Sequence, residues 1–473
     1  MEERLCIACH NGDIEEVKQL LQDPHINTNY QDKEGQTPLS LACYHKKVGI
    51  AKLLLNDQRV DINKTNRNNE TPFYVACRFG RFATVLLLLN DERVDIKIAN
   101  KDDQTPFYVA CQYGYTGIVK LLLKDKRVNE NKESSKLILD NERDHLNKAN
   151  KSGYTSFYIS CKNGHIEIVK LLLNDTRIEI DQTDINEVAP LSIACQNGNI
   201  EIVKLLINDK RVDINRMGKN GWTLFYIACS KGYIEIVKLL LNNKRVDVNK
   251  AENNYGWTPF HIACQYGQME VVKLLLNDKR VDPNKGEMST FLLHYVACCN
   301  KHFEIVKLLL KDGRVDINKA KDGISPLHNA CEKGYIETVK LFLNYERVDI
   351  NKVDNDGQTP FYIACLKGHV EIVQYILANG KEVKLTLKDN KGKTIMDILK
   401  ERENEEKRSW ENEEDFQQRQ GITIQIIKLL ESFERNPNEI RTKLRIKLGL
   451  AGIIYFKAFY FLFYFILFYF FED

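Results

Sequence analysis

The chain predicts an all-α repeat solenoid, and three observations carry that prediction. A cysteine that follows a small residue recurs at Cys9, Cys43, Cys77, Cys111, Cys161, Cys195, Cys229, Cys264, Cys298, Cys331 and Cys365, and nine of the ten gaps are 33 to 35 residues. Most intervals repeat the same signals in the same order: a turn, a helix start, a short apolar helix holding the small pair Ala-Cys, a Gly, and a second apolar run at helical spacing. Neither helix can bury its apolar face alone, so neighbouring repeats must cover it. Repeats are numbered below by these eleven cysteines.

The stretch from Asn355 to Lys388 shows one repeat in full. Gly357-Gln358-Thr359-Pro360 supplies turn chemistry and then a helix start, because Thr caps and Pro suits a first helical position that has no N–H to satisfy. Phe361 to Cys365 carry the short first helix, whose Ala-Cys pair permits close approach of a neighbour. Gly368 ends it as a left-handed cap does. Val370, Ile372, Val373, Ile376 and Leu377 follow at helical spacing. Earlier repeats spell the second helix E-I-V-K-L-L-L, as from Glu235 to Leu241, and close with N-D-K-R-V-D-I-N-K, a polar stretch whose alternating Val and Ile predict an extended arm.

These residues resemble the ankyrin repeat, whose pattern is D-x-x-G-x-T-P-L-H-x-A-A-x-x-G-x-x-x-I-V-x-L-L-L. The Thr-Pro pair stands intact at Thr37-Pro38, Thr71-Pro72, Thr105-Pro106, Thr258-Pro259 and Thr359-Pro360. The family His is Tyr at Tyr74, Tyr108, Tyr158, Tyr226 and Tyr362, and the second Ala is Cys. Thr155-Ser156, Thr223-Leu224 and Thr290-Phe291 lack the Pro, and Lys46 and Lys301 stand where the helix-ending Gly is expected. The resemblance runs over residues 1–400 and implies helix-turn-helix repeats with extended arms. Repeats one to four fall in residues 1–127, and repeats five to eleven in 150–400 with a partial cap at Gly392-Lys393-Thr394.

The one irregular gap, Cys111 to Cys161, is 50 residues. Ser134 to Leu139 aligns with I-V-K-L-L-L and Asp140 to Lys148 echoes an arm. Residues 128–149 therefore read as a degenerate repeat without its first helix, with a surface insertion as the alternative. A degenerate repeat would leave a weak junction, a candidate hinge. Beyond residue 400 the composition changes. Residues 401–447 read as a charged helical linker: 400–419 predict a solvated helix, Ile422 to Phe433 an amphipathic one, Asn436-Pro437 a break, and Arg441, Lys443, Arg445 and Lys447 a basic stretch. Leu448 to Phe471 is 24 residues with one charge, Lys457, long enough to cross a ~30 Å hydrocarbon core. The basic flank on its N-terminal side would leave the repeats in the cytosol, so the segment reads as a tail anchor. Two alternatives stay open. Lys457 leaves 14 uninterrupted apolar residues, which fits an interfacial or self-packing helix. Twelve of the seventeen residues from 455 to 471 are Phe or Tyr, which is also the composition of translated AT-rich sequence.

Composition narrows the function classes. With 68 Lys plus Arg against 65 Asp plus Glu, no net field recruits nucleic acid. Equivalent cysteines in stacked helices are expected about 8–10 Å apart, beyond the ~7 Å limit for a disulfide, so they read as buried thiols of a reducing cytosol. The Met-Glu-Glu-Arg start has no apolar run and predicts no secretory signal. Gly392-Lys393-Thr394 lacks the upstream Gly of a phosphate loop, since Leu387 stands there. Cys6 and Cys9 have redox spacing but share a helix with the repeat position, and no second Cys/His pair completes a zinc site. No cofactor, metal or catalytic residue is expected. The Arg series Arg59, Arg93, Arg127, Arg177, Arg211, Arg245, Arg280, Arg314 and Arg347 is mostly flanked by Asp two residues before and after, which predicts self-pairing between neighbouring arms.

Binding of proteins is what remains. The resemblance implies partners held by arm tips and by exposed positions of the first helix, along a concave face. The pairs after the repeat Cys read Tyr44-His45, Arg78-Phe79 and Gln112-Tyr113, with Arg81, Phe82 and Tyr115 just beyond. Aromatics and Arg dominate interface hot spots. A second candidate cluster occupies the arm position before Thr: Tyr154, Val188, Trp222 and Trp257. The expected protein is a non-catalytic adaptor, tethered through its tail. The competing reading is a membrane-bound linker or regulator of a membrane protein that acts through that tail.

Overall fold

The computed structural model describes residues 1–129, 145–286, 302–320 and 323–450, in two compact bodies, Met1–Asn254 and Tyr255–Asp473. In the first body, short first helices (Glu2–Asn11, Pro38–Tyr44, Pro72–Arg78, Pro106–Gln112, Ser156–Asn163, Pro190–Gln196, Leu224–Lys231) alternate with second helices (Ile14–Leu21, Val48–Asn56, Phe82–Leu89, Thr116–Lys124, Ile166–Leu173, Ile200–Asn208, Ile234–Asn242). The second body continues with Pro259–Gln265, Met269–Asn277, Phe303–Lys311, Pro326–Lys333, Ile336–Leu343, Pro360–Lys367 and Val370–Asn379. Every described element is a helix, as the fold class requires.

The local signals act as expected. The Thr71 hydroxyl accepts the Tyr74 N–H at 3.0 Å with Pro72 at the first helical position. Thr155 caps Ser156–Asn163 in the same way without a Pro. Gly368 ends its helix at φ 77°. Lys46 takes the Gly role at φ 61°, a conformation that an L side chain adopts only at a cost. The core is the row of Ala-Cys pairs, with Ala76, Cys77, Ala110 and Cys111 wholly buried, closed by Val85, Leu88, Val119 and their equivalents from the second helices.

Three side-chain series tie consecutive repeats together. Most Arg side chains of the arms fork, while Arg245 and Arg347, with Asn243 and Tyr345 in place of the Asp, bond carbonyls of the preceding repeat alone. Arg127 holds Asp125 of its own arm at 2.8 Å and reaches back to the Leu89 carbonyl at 2.9 Å. Arg59 does the same with Asp57 and Leu21, and Arg211 with Asp209 and Leu173. The expected pairing between arms is thus corrected. The Asp two residues before is the partner within one arm. The inter-repeat bond goes to the open carbonyls of the preceding second helix, where a cation also meets the negative end of the helix dipole. The arm itself is a run of turns, because Asn side chains take over the backbone pairing. Asn63 donates to the Arg93 carbonyl and accepts from the Asp95 N–H, both at 2.8 Å. Finally, Tyr in place of the family His reaches the next repeat: the Tyr158 hydroxyl donates to Asp184 at 3.0 Å and Tyr362 to Asp389 at 2.9 Å. His261 and His328 turn back onto their own caps, Thr258 and Ser325, at 2.6 and 2.7 Å, and the other ring nitrogen of His328 still bonds the Gln358 carbonyl of the next repeat at 3.0 Å.

Repeats four and five meet directly despite the longer gap. Asn163 and His165 bond the Gln112 carbonyl at 2.9 Å, Lys151 N–H donates to Asp102, and Arg177 reaches Leu123. These are the bonds that join repeats 34 residues apart. Of residues 128–149, read as a degenerate repeat, 130–144 lie outside the described residues.

Residues 400–419, read as one solvated helix, are divided by an irregular segment at 404–412. Ile395–Glu403 ends before a turn-rich segment, and Glu413–Arg435 follows with Ile426, Ile427, Leu430 and Phe433 buried. That helix and Pro437–Lys447 pack on Val370–Asn379. Arg441 and Arg445 donate to the Leu377 and Ala378 carbonyls at 3.4 and 2.8 Å, so this helix continues the Arg series on the last repeat. Asn436 divides the two helices as the Asn-Pro pair predicts, and its side chain caps the second by accepting from Glu439. No helix among the described residues is long and apolar enough to cross a membrane. Of the apolar tail Leu448–Phe471, residues 451–471 lie outside the described residues.

Candidate interaction surface

The candidate residues fall on two positions of the repeat, the residue before the capping Thr and the residues after Cys. These are eight apart, two turns along a short helix, and the structure brings them face to face. Glu70, buried, pairs with Arg78. Tyr154 lies under the Lys162 ammonium at 4.4 Å, and Lys393 pairs with Glu401 at 2.6 Å. Within one repeat the two positions therefore share one surface.

In repeats one to four this surface is a chain of rings and cations. His10 contacts His45 at 4.0 Å, Tyr44 contacts His45 at 4.7 Å, and Tyr44 meets the Phe79 ring edge to face at 4.5 Å. Arg78 and Arg81 stand over Phe79 at 5.4 and 5.9 Å, a cation–π distance. Arg81 also donates to the Tyr44 carbonyl at 2.9 Å. Tyr113 interacts electrostatically with Arg78 and lies 6.2 Å from Tyr115, whose ring covers Gly80. Burial holds His45 below the usual imidazole range, with His10, Lys47 and Arg81 adding to the shift, which keeps that ring neutral among cations. Tyr44 and Tyr113 are 40% and 46% exposed, and Phe79 and Gln112 are half-buried. Phe82 does not join this chain. It opens the second helix of repeat three, and its ring lies over Gly117 in the second helix of repeat four.

The later rings sit on their own stems. Tyr154 stacks on Tyr158 at 4.7 Å, Trp222 on Tyr226 at 5.7 Å, and Trp257 tilts over His261 at 6.4 Å. Trp222 is 42% exposed and walls a groove of about 160 Å³ between the arms and first helices of repeats six and seven, with Val188, Ser192, Gln196, Asn220 and Ile227. Glu70, His10 and this groove were missed by the sequence reading. The signal for Glu70 was present, because it occupies the same position before Thr as Tyr154 and Trp222.

The residues weighed for chemistry have structural partners. Thr394 forms a capping box with Asp397. Cys6 and Cys9 are buried, and burial pushes both thiols up to about 12, far from a reactive thiolate. The described cysteines are free. Among the described residues no group of His, Cys, Asp or Glu is arranged to hold a metal ion.

Stacked helix-turn-helix repeats with a left-handed cap, an Ala-Cys core and polar arms define a class of interaction scaffold. A family model for ankyrin repeats, spanning three copies, matches residues 5–100, 49–134, 92–184, 128–218, 191–287 and 293–389, and this chain belongs to the ankyrin-repeat family. No curated protein shows a significant match.

Proposed function

We propose that this ankyrin-repeat protein is a non-catalytic adaptor that holds a partner protein on the arm-bearing side of repeats one to four. The observation that carries this reading is the ring-and-cation chain from His10 to Tyr115. It uses Tyr44, Phe79 and Tyr113, which have no duty in the Ala-Cys core, and it concentrates the residue types of hot spots. Gln112 lies in the same row. The groove beside Trp222 is a secondary contact region, with Tyr154 and Trp257 as its counterparts in neighbouring repeats. The experiment is affinity capture with the full chain against an R78A/F79A/Y113A variant. The variant is expected to keep its helical circular dichroism and to lose the captured proteins. Equal capture by both chains overturns the assignment.

The tail is the second part of the proposal: Leu448–Phe471 tethers the repeats to a membrane from the cytosolic side. Its support is the 24-residue apolar run with a single charge behind a basic stretch. The full chain, and not a chain stopped after Lys447, should remain in the pellet after carbonate extraction. Release of both overturns the tether.

A further inference from the structure

We propose that the outer face of repeats two to four is a docking site for an acidic amphipathic helix of a partner protein. Elsewhere on the outer face the described second helices of the repeats begin with a Glu, and seven of them close a Glu–Lys pair three residues apart, at 2.7 to 3.0 Å in Glu15–Lys18, Glu167–Lys170, Glu201–Lys204, Glu235–Lys238, Glu270–Lys273, Glu304–Lys307 and Glu337–Lys340. That row makes the face neutral and polar. In repeats two, three and four the Glu is replaced by Gly49, Ala83 and Gly117, and in repeat three the Lys is replaced by Leu86. The helices Val48–Asn56, Phe82–Leu89 and Thr116–Lys124 contain no acidic residue.

The vacated positions form an apolar plate. Phe82 lies across to repeat four, its ring 3.2 Å from where a Cβ on Gly117 would stand, and Ile14 covers Gly49 at the same distance. Phe82, Leu86 and Ile14 remain 47%, 43% and 40% exposed. The contrast with Phe303, at the Phe82 position of repeat nine, is direct: Lys307 covers its ring at 4.8 Å, where repeat three has Leu86. The small residues let Phe82 and Ile14 lie flat over the neighbouring repeat, which leaves a shallow apolar plate of the kind an amphipathic helix covers. Lys52, Lys120 and Lys124 are the only charged side chains on these three helices, and among the described residues none forms an ion pair. An apolar plate between unpaired ammonium groups selects an apolar stripe flanked by carboxylates. This face is separate from the ring-and-cation chain, so each can fail alone.

The test uses the full chain in a mild detergent and a fluorescent designed helix with Leu on one face and Glu on the other. A sequence-scrambled peptide and a Lys-for-Glu peptide serve as controls. A83E/L86K rebuilds the regular outer face at exposed helical positions and should preserve folding. Anisotropy is expected to show binding of the acidic helix alone, weakened about ten-fold or more by A83E/L86K and unchanged by R78A/F79A/Y113A. Equal binding of the control peptides, or no effect of A83E/L86K, overturns the proposal. Two further results also overturn it: A83E/L86K-sensitive sedimentation with phosphatidylserine vesicles assigns the face to a lipid surface, and A83E/L86K-sensitive dimerisation assigns it to a second copy.

Discussion

Replacing Tyr158 by Phe removes one oxygen and tests how Tyr, standing for the family His, joins repeats. The Tyr158 hydroxyl donates to Asp184 at 3.0 Å, and both residues are buried. Asp184 keeps its other bonds, accepting from the Asn186 and Val188 N–H groups at 2.9 Å, so the turn survives and only the inter-repeat bond is lost. A hydrogen bond to a charged acceptor contributes about 1.5–3 kcal/mol, against about 0.5–1.5 kcal/mol for a neutral one. Tyr74 supplies the neutral comparison, because its hydroxyl bonds Gln104 and Asn100. Hydrogen exchange suits a repeat stack, whose stability is a sum of local and neighbour terms. Amides of Ser156–Asn163 and Pro190–Gln196 should exchange about ten- to a hundred-fold faster in Y158F, since about 1.4 kcal/mol is one factor of ten. Those of Pro72–Arg78 should change by less than about ten-fold in Y74F. Equal effects of the two substitutions, or none from Y158F, would refute the claim that the ionised acceptor makes the stronger junction.

Other predictions follow from the same geometry. His261 is buried and held down to about 4 from 6.5, chiefly by burial, with Lys319 adding to it. The unfolded chain therefore takes up the proton first, so stability is full above about pH 6.5 and falls as pH drops towards 4, by up to about 3 kcal/mol. H261Q should flatten that part of the urea-midpoint profile; an unchanged slope contradicts the assignment. Lys46 and Glu187 both sit at φ 61°, and K46G or E187G should raise the melting temperature, each by about 1 kcal/mol of relieved strain; a lower value in both refutes the strain. Leu430 is 1% exposed within the C-terminal helices. L430A should cost about 2–5 kcal/mol and should speed exchange in Val370–Asn379; unchanged exchange there contradicts the packing.

The local structure of each repeat was legible because short-range signals fix it. Thr71 accepts from the N–H three residues on, Gly368 supplies φ 77°, and the Ala-Cys pair marks the tight contact. The binding positions were legible only as variable residues. That Glu70 and Arg78 pair, and that Tyr154 and Lys162 do, requires the short helix to stand between them. The Arg series was misread because charge spacing shows the Asp but not the carbonyl. Leu89 and Leu173 offer theirs only once the preceding helix has ended nearby in space.

The sequence by itself determined the repeat, its period, its helix boundaries and its family, since each depends on residues within one turn or one repeat of each other. Only the tertiary structure decided which groups cross between repeats. It also decided that repeats four and five meet across 50 residues, and that Arg441 and Arg445 close the last helix as an arm would. Those outcomes depend on where a donor finds an unpaired acceptor in space, and sequence distance does not encode that.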